Sequence, residues 1–331
     1  YVQAYTLLPK NVTDATDPST YTDTPLAKLA DTPAANSLKA YSSVLQNVDL
    51  AARREFCRWD LPIREKGIEM LLPHLNGARL AAAAGEFDQA IHSLRTGFSM
   101  AQDLTQEAVL VQGLVASGIN AMMIAQATDM VEVDGAPNLY WPLAGLPRPL
   151  IPIQTVVEHE QAWIYLSFPG LKQARHNPPS PEQWRQIWNS LFQTLNPGAN
   201  DPEKNALTMS LVAAKVYPRA KQYLVQSGLD PKKVEQMAVA QVVGIYFLEE
   251  FEQAMDQTWK LFYLPPELGL PRIEAAERAR RQMEPVDVRN YLMMLLPSVG
   301  AAREALLRVD RQVAMLQTVE AIRNHLAIHS G

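Results

Sequence analysis

The chain is poor in cysteine and glycine and has no long apolar run. Its 331 residues include one cysteine, Cys57, and only 15 glycines. A single cysteine excludes an intramolecular disulfide. No stretch approaches about 18 uninterrupted apolar residues, the usual mark of a membrane-spanning helix. We therefore expect a core held by apolar packing and no transmembrane segment in the chain as given, although a terminus beyond it could still attach the protein to a membrane.

The chain also lacks an excess of positive charge. It has 30 Lys and Arg against 35 Asp and Glu, which gives a formal net charge of -5. Nucleic-acid-binding domains usually carry a basic face, because every phosphate that they contact is negatively charged. We therefore expect no nucleic-acid partner.

Familiar catalytic motifs are missing as well. The sequence has no Gly-x-Ser-x-Gly elbow, no Gly-x-x-x-x-Gly-Lys phosphate loop and no Gly-x-Gly-x-x-Gly fingerprint. A helical zinc motif beginning at His159 fails because Trp163 stands where the second histidine would be. His325 and His329 have the i, i+4 spacing of two metal ligands, but no third ligand is identifiable. We predict no catalytic residue, no metal and no cofactor.

Proline and helix-forming residues are abundant instead. The chain has 24 prolines, and 47% of its residues are hydrophobic. Proline favours the first turn of a helix and interrupts a helix interior, and here it punctuates long runs rich in Ala, Leu, Gln and Glu. Strand-like alternation is almost absent. The sequence predicts an all-α fold with helices near 37–57, 63–84, 86–104, 106–131, 154–168, 181–195, 202–227, 231–261, 272–283, 285–296 and 298–329.

The segment GEFDQAI at 85–91 is the most informative turn in the sequence. It resembles the turn of a tetratricopeptide repeat, in which a glycine lets the chain reverse and an aromatic side chain fills the hairpin. The residues that fit the pattern are Ala83, Gly85, Phe87, Ala90, Ile91 and Leu94. Segment 106–131 has no second turn of this kind. We therefore predict an irregular antiparallel helix stack, or α-solenoid, with one such hairpin.

Changes in composition divide the chain into four parts. Residues 1–36 are rich in Thr, Asp and Pro, which favours an extended arm. Residues 37–133 form the helical hairpin region. Residues 134–153 combine five prolines with apolar residues, which predicts a half-buried crossing and the domain seam. Residues 154–331 are a second helical region, expected to pack on the first as one unit.

Six short segments, taken together, are similar to a known group of proteins. They are CRWDLP at 57–62, LLPHL at 71–75, GEFDQAI at 85–91, PNLYW at 137–141, LPRPL at 146–150 and EAIR at 320–323. The combination resembles the uncharacterised, mostly helical exported proteins of planctomycete bacteria. The resemblance implies no site residue, since no activity is known for that group. It implies export to the periplasm or cell envelope, with the cytoplasm as the alternative.

The predicted architecture favours a role in binding other proteins. Helix stacks present long grooves and flat faces, and the N-terminal arm carries apolar anchors. We expect a non-enzymatic scaffold or assembly subunit that binds other protein chains or further copies of itself. The residues expected to contact a partner are Tyr1, Tyr5, Leu7, Leu8, Tyr21, Tyr140 and Trp141.

A second hypothesis is a secreted enzyme or ligand-binding protein that acts on a peptide or a polymer. A thiol with a nearby imidazole provides the elements of a nucleophilic site. Such a site would lie near Cys57, Trp59, His74, Tyr140 and Trp141.

Two further clusters each have a structural and a binding interpretation. Trp184, Trp188 and Phe192 recur at every fourth residue, which is typical of a packed helix stripe and would also suit a sugar-binding platform. The acidic run at 249–256 could bind Ca²⁺, but a helix spreads its carboxylates around its axis. We expect the tryptophans to pack in the core and the acidic run to pair with basic residues.

Overall fold

The computed structural model describes residues 1, 24–29, 32, 42–55, 76–106, 108–195, 202–281 and 299–329. Every regular element in these ranges is a helix, and no strand occurs within them, which confirms the all-α prediction. Most of the predicted N-terminal arm and the helix predicted at 285–296 lie outside the described residues.

Thirteen α-helices lie in the described ranges, and we number them in order. They are α1 (Leu26–Leu29), α2 (Ser42–Ala52), α3 (Gly77–Ala83), α4 (Phe87–Leu104), α5 (Leu110–Val131), α6 (Tyr140–Ala144), α7 (Ile153–Ser167), α8 (Pro181–Leu195), α9 (Pro202–Gln226), α10 (Pro231–Gln236), α11 (Val239–Trp259), α12 (Pro266–Arg281) and α13 (Val299–His329). Two short 3₁₀ helices, Pro169–Gln173 and Lys260–Tyr263, connect some of them.

These helices belong to two compact units. The first unit is discontinuous and comprises residues 1–159 and 304–331, whereas the second is the continuous stretch 160–303. The backbone passes from one unit to the other inside α7 and inside α13. The proline-rich crossing at 134–153, where the sequence predicts a seam, lies wholly within the first unit because its backbone is bonded to α13.

The turn between α3 and α4 is the reversal that the sequence predicts. Gly85 has a φ of +74°, a left-handed conformation that favours glycine. The N–H of Glu86 donates to the carbonyl of Ala81 at 2.8 Å, and the N–H of Gly85 donates to that of Ala82 at 3.0 Å. This pair of bonds closes α3 and redirects the chain into α4. The relation to tetratricopeptide repeats stays a prediction.

Helix α5 lies in the core of the first unit. Ala116, Ile119 and Met123 are fully buried on it. Gly97 of α4 allows the two helices to approach closely, since a Cβ there would lie 2.0 Å from Sδ of Met123. Among the described helices, α5 alone is long and apolar enough to cross a membrane, and 56% of its most apolar window is buried inside the protein. A helix in the core of a globular protein can have the same length, composition and burial, so these properties alone do not identify a membrane span.

Helix α10 in the second unit begins as the sequence predicts. Pro231 occupies its first turn, and Asp230 is its N-cap. The Asp230 carboxylate accepts a hydrogen bond from the backbone N–H of Lys232 at 2.9 Å. This bond satisfies a backbone donor that has no partner within the helix.

The single helix predicted over 231–261 is two helices in the structure. Met237 and Ala238 have extended backbone, with ψ angles of 143° and 149°. The side chain of Gln241 accepts a hydrogen bond from the N–H of Ala238 at 3.1 Å. This cap stabilises a new helix N-terminus, so the chain starts again as α11.

The core of the second unit contains Trp184, the first residue of the predicted aromatic stripe. Trp184 of α8 is 2% exposed and stacks on Trp188, with 6.1 Å between ring centres. Trp188 in turn contacts Phe247 of α11. A Cβ at Gly244 would lie 2.5 Å from the indole of Trp184, so the glycine makes room for that ring. The packing interpretation is confirmed for Trp184, whereas the Phe192 side chain lies outside the described residues.

A buried arginine completes the second unit. Arg303, near the start of α13, is 2% exposed and donates to the carbonyls of Leu261 and Leu264. Its guanidinium lies 5.5 Å from the ring centre of Phe262. Burial lowers the pKa of Arg303, and the charge of Glu267 opposes this effect. The arginine thus binds carbonyls at the end of the second 3₁₀ helix.

Candidate functional site

An apolar groove of about 370 Å³ lies within the first unit. One wall is α4, the other is the segment 139–150, and Asn120 and Ala127 of α5 contribute between them. Apolar side chains predominate on both walls: Ile91, Leu94, Phe98, Leu143, Leu146 and Leu150. We call this feature the Trp141 groove, after the residue at its rim. Its volume is within the range of pockets that accept a small ligand or several partner side chains.

Polar groups lie along the α4 side of the groove. They are Arg95, Ser99 and Gln102, each about one helical turn from the next. Arg95 is exposed and forms no ion pair with any residue that the structure describes. The groove therefore combines an apolar interior with one available positive charge.

The segment that forms the second wall is held by α13. Glu320 is 0% exposed, and its carboxylate accepts a hydrogen bond from the backbone N–H of Leu139. Arg323 pairs with that carboxylate at 2.6 Å and also donates to the carbonyl of Ala136 at 3.3 Å. The amide of Asn138 donates to the Glu320 carbonyl at 2.7 Å. Buried charge-assisted bonds of this kind fix backbone position strongly.

The far end of the same segment is bonded to α13 as well. Arg148 donates to the carbonyl of Asp310 and to the side chain of Gln317, both at 3.2 Å. The Asp310 carboxylate accepts from the backbone N–H of Leu150 at 3.0 Å. The segment is therefore fixed at both ends, and its middle lines the groove.

The two aromatic residues that the sequence proposes as partner contacts lie in this segment. Asn138 accepts a hydrogen bond from the N–H of Tyr140 at 3.0 Å, where α6 begins. The rings of Tyr140 and Trp141 meet edge to face, with 5.1 Å between their centres. Tyr140 is half-buried, whereas Trp141 is 76% exposed. Trp141 lines the groove, and Tyr140 supports its ring.

A polar cluster lies beside the groove, between α2 and α4. The Asp49 carboxylate contacts Nε2 of His92 at 2.8 Å and pairs with Arg53 at 2.5 Å. The hydroxyl of Thr96 donates to Asp49 at 3.0 Å. A cavity of about 160 Å³ borders this Asp49 cluster, and Arg95 lines both that cavity and the groove.

The chemistry of the Asp49 cluster is partly that of an acid–base site. Burial raises the pKa of Asp49, but hydrogen bonds from Arg53 and Thr96 and the charge of His92 outweigh it, so the pKa lies below its ordinary value. An ionised aspartate that orients an imidazole is a common acid–base pair. The Thr96 hydroxyl, however, donates to Asp49 and not to the imidazole. Among the described residues, the cluster therefore has no hydroxyl or thiol bonded to the His92 ring.

Tyr1 contacts α4 near the end of the groove. Its hydroxyl donates to the carboxylate of Asp103 at 2.6 Å, and Asp103 is 5% exposed. Burial raises the pKa of Asp103; the Tyr1 hydroxyl and the N-terminal amino group lower it, and the net pKa is above its ordinary value. The other predicted contacts of the arm lie outside the described residues: Tyr5, Leu7, Leu8 and Tyr21.

The alternative nucleophilic site stays a prediction. Cys57, Trp59 and His74 all lie outside the described residues. Of that proposed site, the structure places Tyr140 and Trp141, both beside the groove.

The histidine pair at the end of α13 is exposed. The rings of His325 and His329 lie 4.3 Å apart, centre to centre. Within the described ranges, no group of three or more His, Cys, Asp and Glu residues is arranged to hold a metal ion. The pair therefore has the spacing of two ligands, with no third ligand in the part of the chain that the structure describes.

Part of the acidic run in the second unit pairs with basic residues, as the sequence predicts. Glu249 forms an ion pair with Arg175 at 2.8 Å, and Glu252 accepts a hydrogen bond from the hydroxyl of Tyr165. Burial raises the pKa of Glu249, and the charge of Arg175 opposes this effect. Burial and the Glu252 contact likewise raise the pKa of Tyr165. These carboxylates therefore connect elements of the unit.

Three residues of the candidate site are missed by the sequence analysis: Arg95, Asp49 and Glu320. Arg95 interrupts an apolar helix pattern, a weak signal that one face is open to solvent. Asp49 and His92 lie on helices that are distant in sequence, so their contact has no local signal. Glu320 has a local signal, because a carboxylate on an otherwise apolar helix face indicates a polar contact across the core.

The chain matches no family model, no curated protein and no solved structure. The resemblance to exported planctomycete proteins and the predicted export therefore stay predictions.

Proposed function

We propose that the protein is a non-enzymatic scaffold or assembly subunit of an exported or cell-envelope complex, and that its Trp141 groove binds a segment of another protein. The observation that carries the proposal is the indole of Trp141, which is 76% exposed on a segment fixed by a buried carboxylate. Large aromatic side chains are the commonest anchors of protein interfaces, because they bury much area with little loss of entropy.

The support of the segment favours binding. The bonds from Glu320, Arg148 and Asp310 fix the segment at both ends. A surface that is already ordered loses little conformational freedom when a partner arrives, so more of the interaction free energy contributes to affinity.

The groove also specifies the chemistry of its occupant. Its apolar walls suit Leu-like or aromatic side chains. The guanidinium of Arg95 at its margin, which pairs with no residue that the structure describes, suits a carboxylate. We therefore propose a partner segment that combines apolar anchors with an Asp, a Glu or a free C-terminal carboxylate. Binding of such a segment would be weakened by salt, since Arg95 is exposed.

A second candidate function is a ligand-binding protein or secreted enzyme that acts on a peptide or polymer. The observation that favours it is the position of the Asp49 cluster, whose cavity shares Arg95 and Ser99 with the groove. A ligand lying in the groove would have its end near the Asp49–His92 pair.

Site-specific photo-crosslinking in the native host tests the proposal. A benzophenone amino acid replaces Leu146, which is half-buried in the groove wall, and the matched control carries it at Leu268, which is 54% exposed in the second unit. We expect ultraviolet light to attach a defined protein to position 146 and not to position 268. Mass spectrometry then identifies the attached segment.

A substitution of Trp141 distinguishes the scaffold from the ligand-binding protein or enzyme. Trp141→Ala in the Leu146 crosslinker background should reduce the protein adduct at least about fivefold, a loss of about 1 kcal/mol or more that is ordinary for an interface tryptophan. An adduct of a small molecule or a glycan at position 146 would favour the ligand-binding candidate. Equal adducts at positions 146 and 268 would contradict both.

A further inference from the structure

Helix α13 has two apolar faces, and only one of them is buried. The buried face packs in the first unit through Leu306, Val309, Val313 and Leu316. The second face is exposed to solvent and consists of Met315 (69% exposed), Val319 (47%), Ile322 (56%) and Leu326 (57%). We call these four residues the α13 strip. Single exposed apolar residues are ordinary, whereas an aligned row on one helix indicates an interaction surface.

The spacing of the strip indicates the shape of its partner. The intervals between its residues are four, three and four, which is the alternation of core positions in a heptad repeat. Residues at these intervals form a narrow seam on one side of a helix, about 17 Å long from Met315 to Leu326 at 1.5 Å per residue. A seam of this kind accepts the matching seam of another helix, knob into hole.

The charge around the strip indicates the chemistry of that helix. Arg311, His325 and His329 are exposed beside it, and Arg311 forms no ion pair with a described residue. The only acidic side chain between positions 311 and 329 is Glu320, which is fully buried and bonded to Leu139 and Arg323. The exposed margins of the strip are therefore neutral or cationic, so acidic margins on a partner would complement them.

We propose that the α13 strip docks an amphipathic helix of a partner protein, with apolar residues at heptad spacing and Asp or Glu on its flanks. This surface is separate from the Trp141 groove and does not depend on the function proposed for it. The bonds of Glu320, Asp310 and Arg323 hold the inner side of α13 against segment 136–150. The strip is thereby presented on a fixed support.

A second copy of this protein fits the strip less well. Pairing two copies would bring Arg311 close to Arg311, His325 or His329 of the other copy, which are cations or become cations when protonated. Four apolar side chains are also few for a stable homodimer, since a standard interface buries about 800 Å² on each partner and involves about 20–30 residues a side. A membrane surface fits less well too, because an interfacial helix keeps its remaining surface in water, whereas Val313, Leu316 and Glu320 of α13 are buried within the protein.

Fluorescence anisotropy with a synthetic helix tests the proposal on the folded protein. The probe is a fluorescein-labelled peptide of about three heptads with Leu at the core positions and Glu at the flanking ones. We expect saturable binding that weakens with salt, and binding at least about tenfold weaker for a matched peptide with Lys at the flanks. The double variant Val319→Ser, Ile322→Ser should lose about tenfold or more in affinity for the Glu peptide.

The control variant is Val111→Ser, which makes the same change at a valine that is 63% exposed on α5. It should bind the Glu peptide like the wild type, and circular dichroism should show that all variants fold. Equal binding of the Glu and Lys peptides, or no loss in the double variant, overturns the proposal. It is also overturned if the wild type binds no peptide, if the strip variant instead abolishes binding to phosphatidylglycerol vesicles, or if the native mass falls from dimer to monomer in that variant.

Discussion

The carboxylate of Glu320 accepts a hydrogen bond from the backbone N–H of Leu139, a residue 181 positions away in the sequence. Both residues are buried, and the bond joins α13 to the segment that carries Trp141. One side chain of α13 therefore fixes the backbone of the groove.

Replacing Glu320 by alanine should loosen that segment. The N–H of Leu139 and the guanidinium of Arg323 would lose their acceptor, and a buried donor without a partner costs about 1–3 kcal/mol. We expect a lower free energy of unfolding and faster hydrogen exchange at the Leu139 amide. Glu320→Gln should lower the free energy of unfolding less than Glu320→Ala does, because glutamine keeps one oxygen acceptor. Glu304→Ala is the control, since its pair with Arg308 is long, at 4.0 Å, and exposed; an effect equal to that of Glu320→Ala would contradict the prediction.

Two glycine substitutions should change stability in opposite directions. Gly244→Ala would place a Cβ 2.5 Å from the rigid indole of Trp184, and overpacking of this kind costs about 1–3 kcal/mol. Gly118→Ala in α5 meets no atom within 4 Å, and alanine is favoured over glycine in a helix interior by about 0.5–1 kcal/mol. Thermal unfolding compares the two variants with the wild type. A stabilised Gly244→Ala variant would show that α8 and α11 adjust without cost.

Asp103 should make the protein less stable as pH rises. Its pKa in the folded protein is above the ordinary value, mainly because it is buried, so the folded state binds the proton more tightly than the unfolded state. The free energy of unfolding should therefore fall from about pH 3.9, the ordinary aspartate pKa, up to the raised value, and then level off. Asp103→Asn keeps an oxygen for the Tyr1 hydroxyl and should remove this loss. Urea titrations across that pH range measure the free energy of unfolding of the wild type and of Asp103→Asn. If the two free energies change with pH in parallel, the prediction is contradicted.

Asp49 should have the opposite pH dependence. Its pKa in the folded protein is below the ordinary value, so its contribution is present above about pH 3.9 and is lost as pH falls through the folded pKa. Asp49→Asn should be less stable than the wild type at neutral pH, and the difference should shrink in acid. Asp256→Asn, which breaks an exposed pair with Lys260, is the control and should change little. A difference that persists unchanged at low pH would indicate packing rather than charge.

The local features of the fold are those that the sequence predicts well. Proline at a first turn with Asp230 before it, glycine at a reversal as at Gly85, and a row of tryptophans at helical spacing all act over a few residues. The break at Met237 and Ala238 is missed because no proline or glycine marks it. It depends on Gln241, which caps the new helix and also donates to the carbonyl of Pro179 at 3.1 Å. That second contact is visible only in the folded protein.

The candidate site is predictable in part for the same reason. Tyr140 and Trp141 stand out in sequence because aromatic residues among prolines are unusual in a solvent loop. The groove itself requires α4 to face segment 139–150. That arrangement depends on α13, whose Glu320 lies 181 positions after Leu139 in the sequence. Whether a polar residue such as Glu320 or Arg95 is buried or exposed follows from such distant pairings, which helical periodicity alone does not specify.

The discontinuity of the first unit has a consequence for the order of synthesis. A ribosome makes the protein from its N-terminus, so residues 160–303 leave the ribosome before the part of α13 that belongs to the first unit. The second unit can then reach its final fold while the first still lacks the helix that covers Leu139 and holds the groove. Until α13 leaves the ribosome, the nascent first unit exposes apolar side chains, and partly folded states of this kind are prone to aggregate.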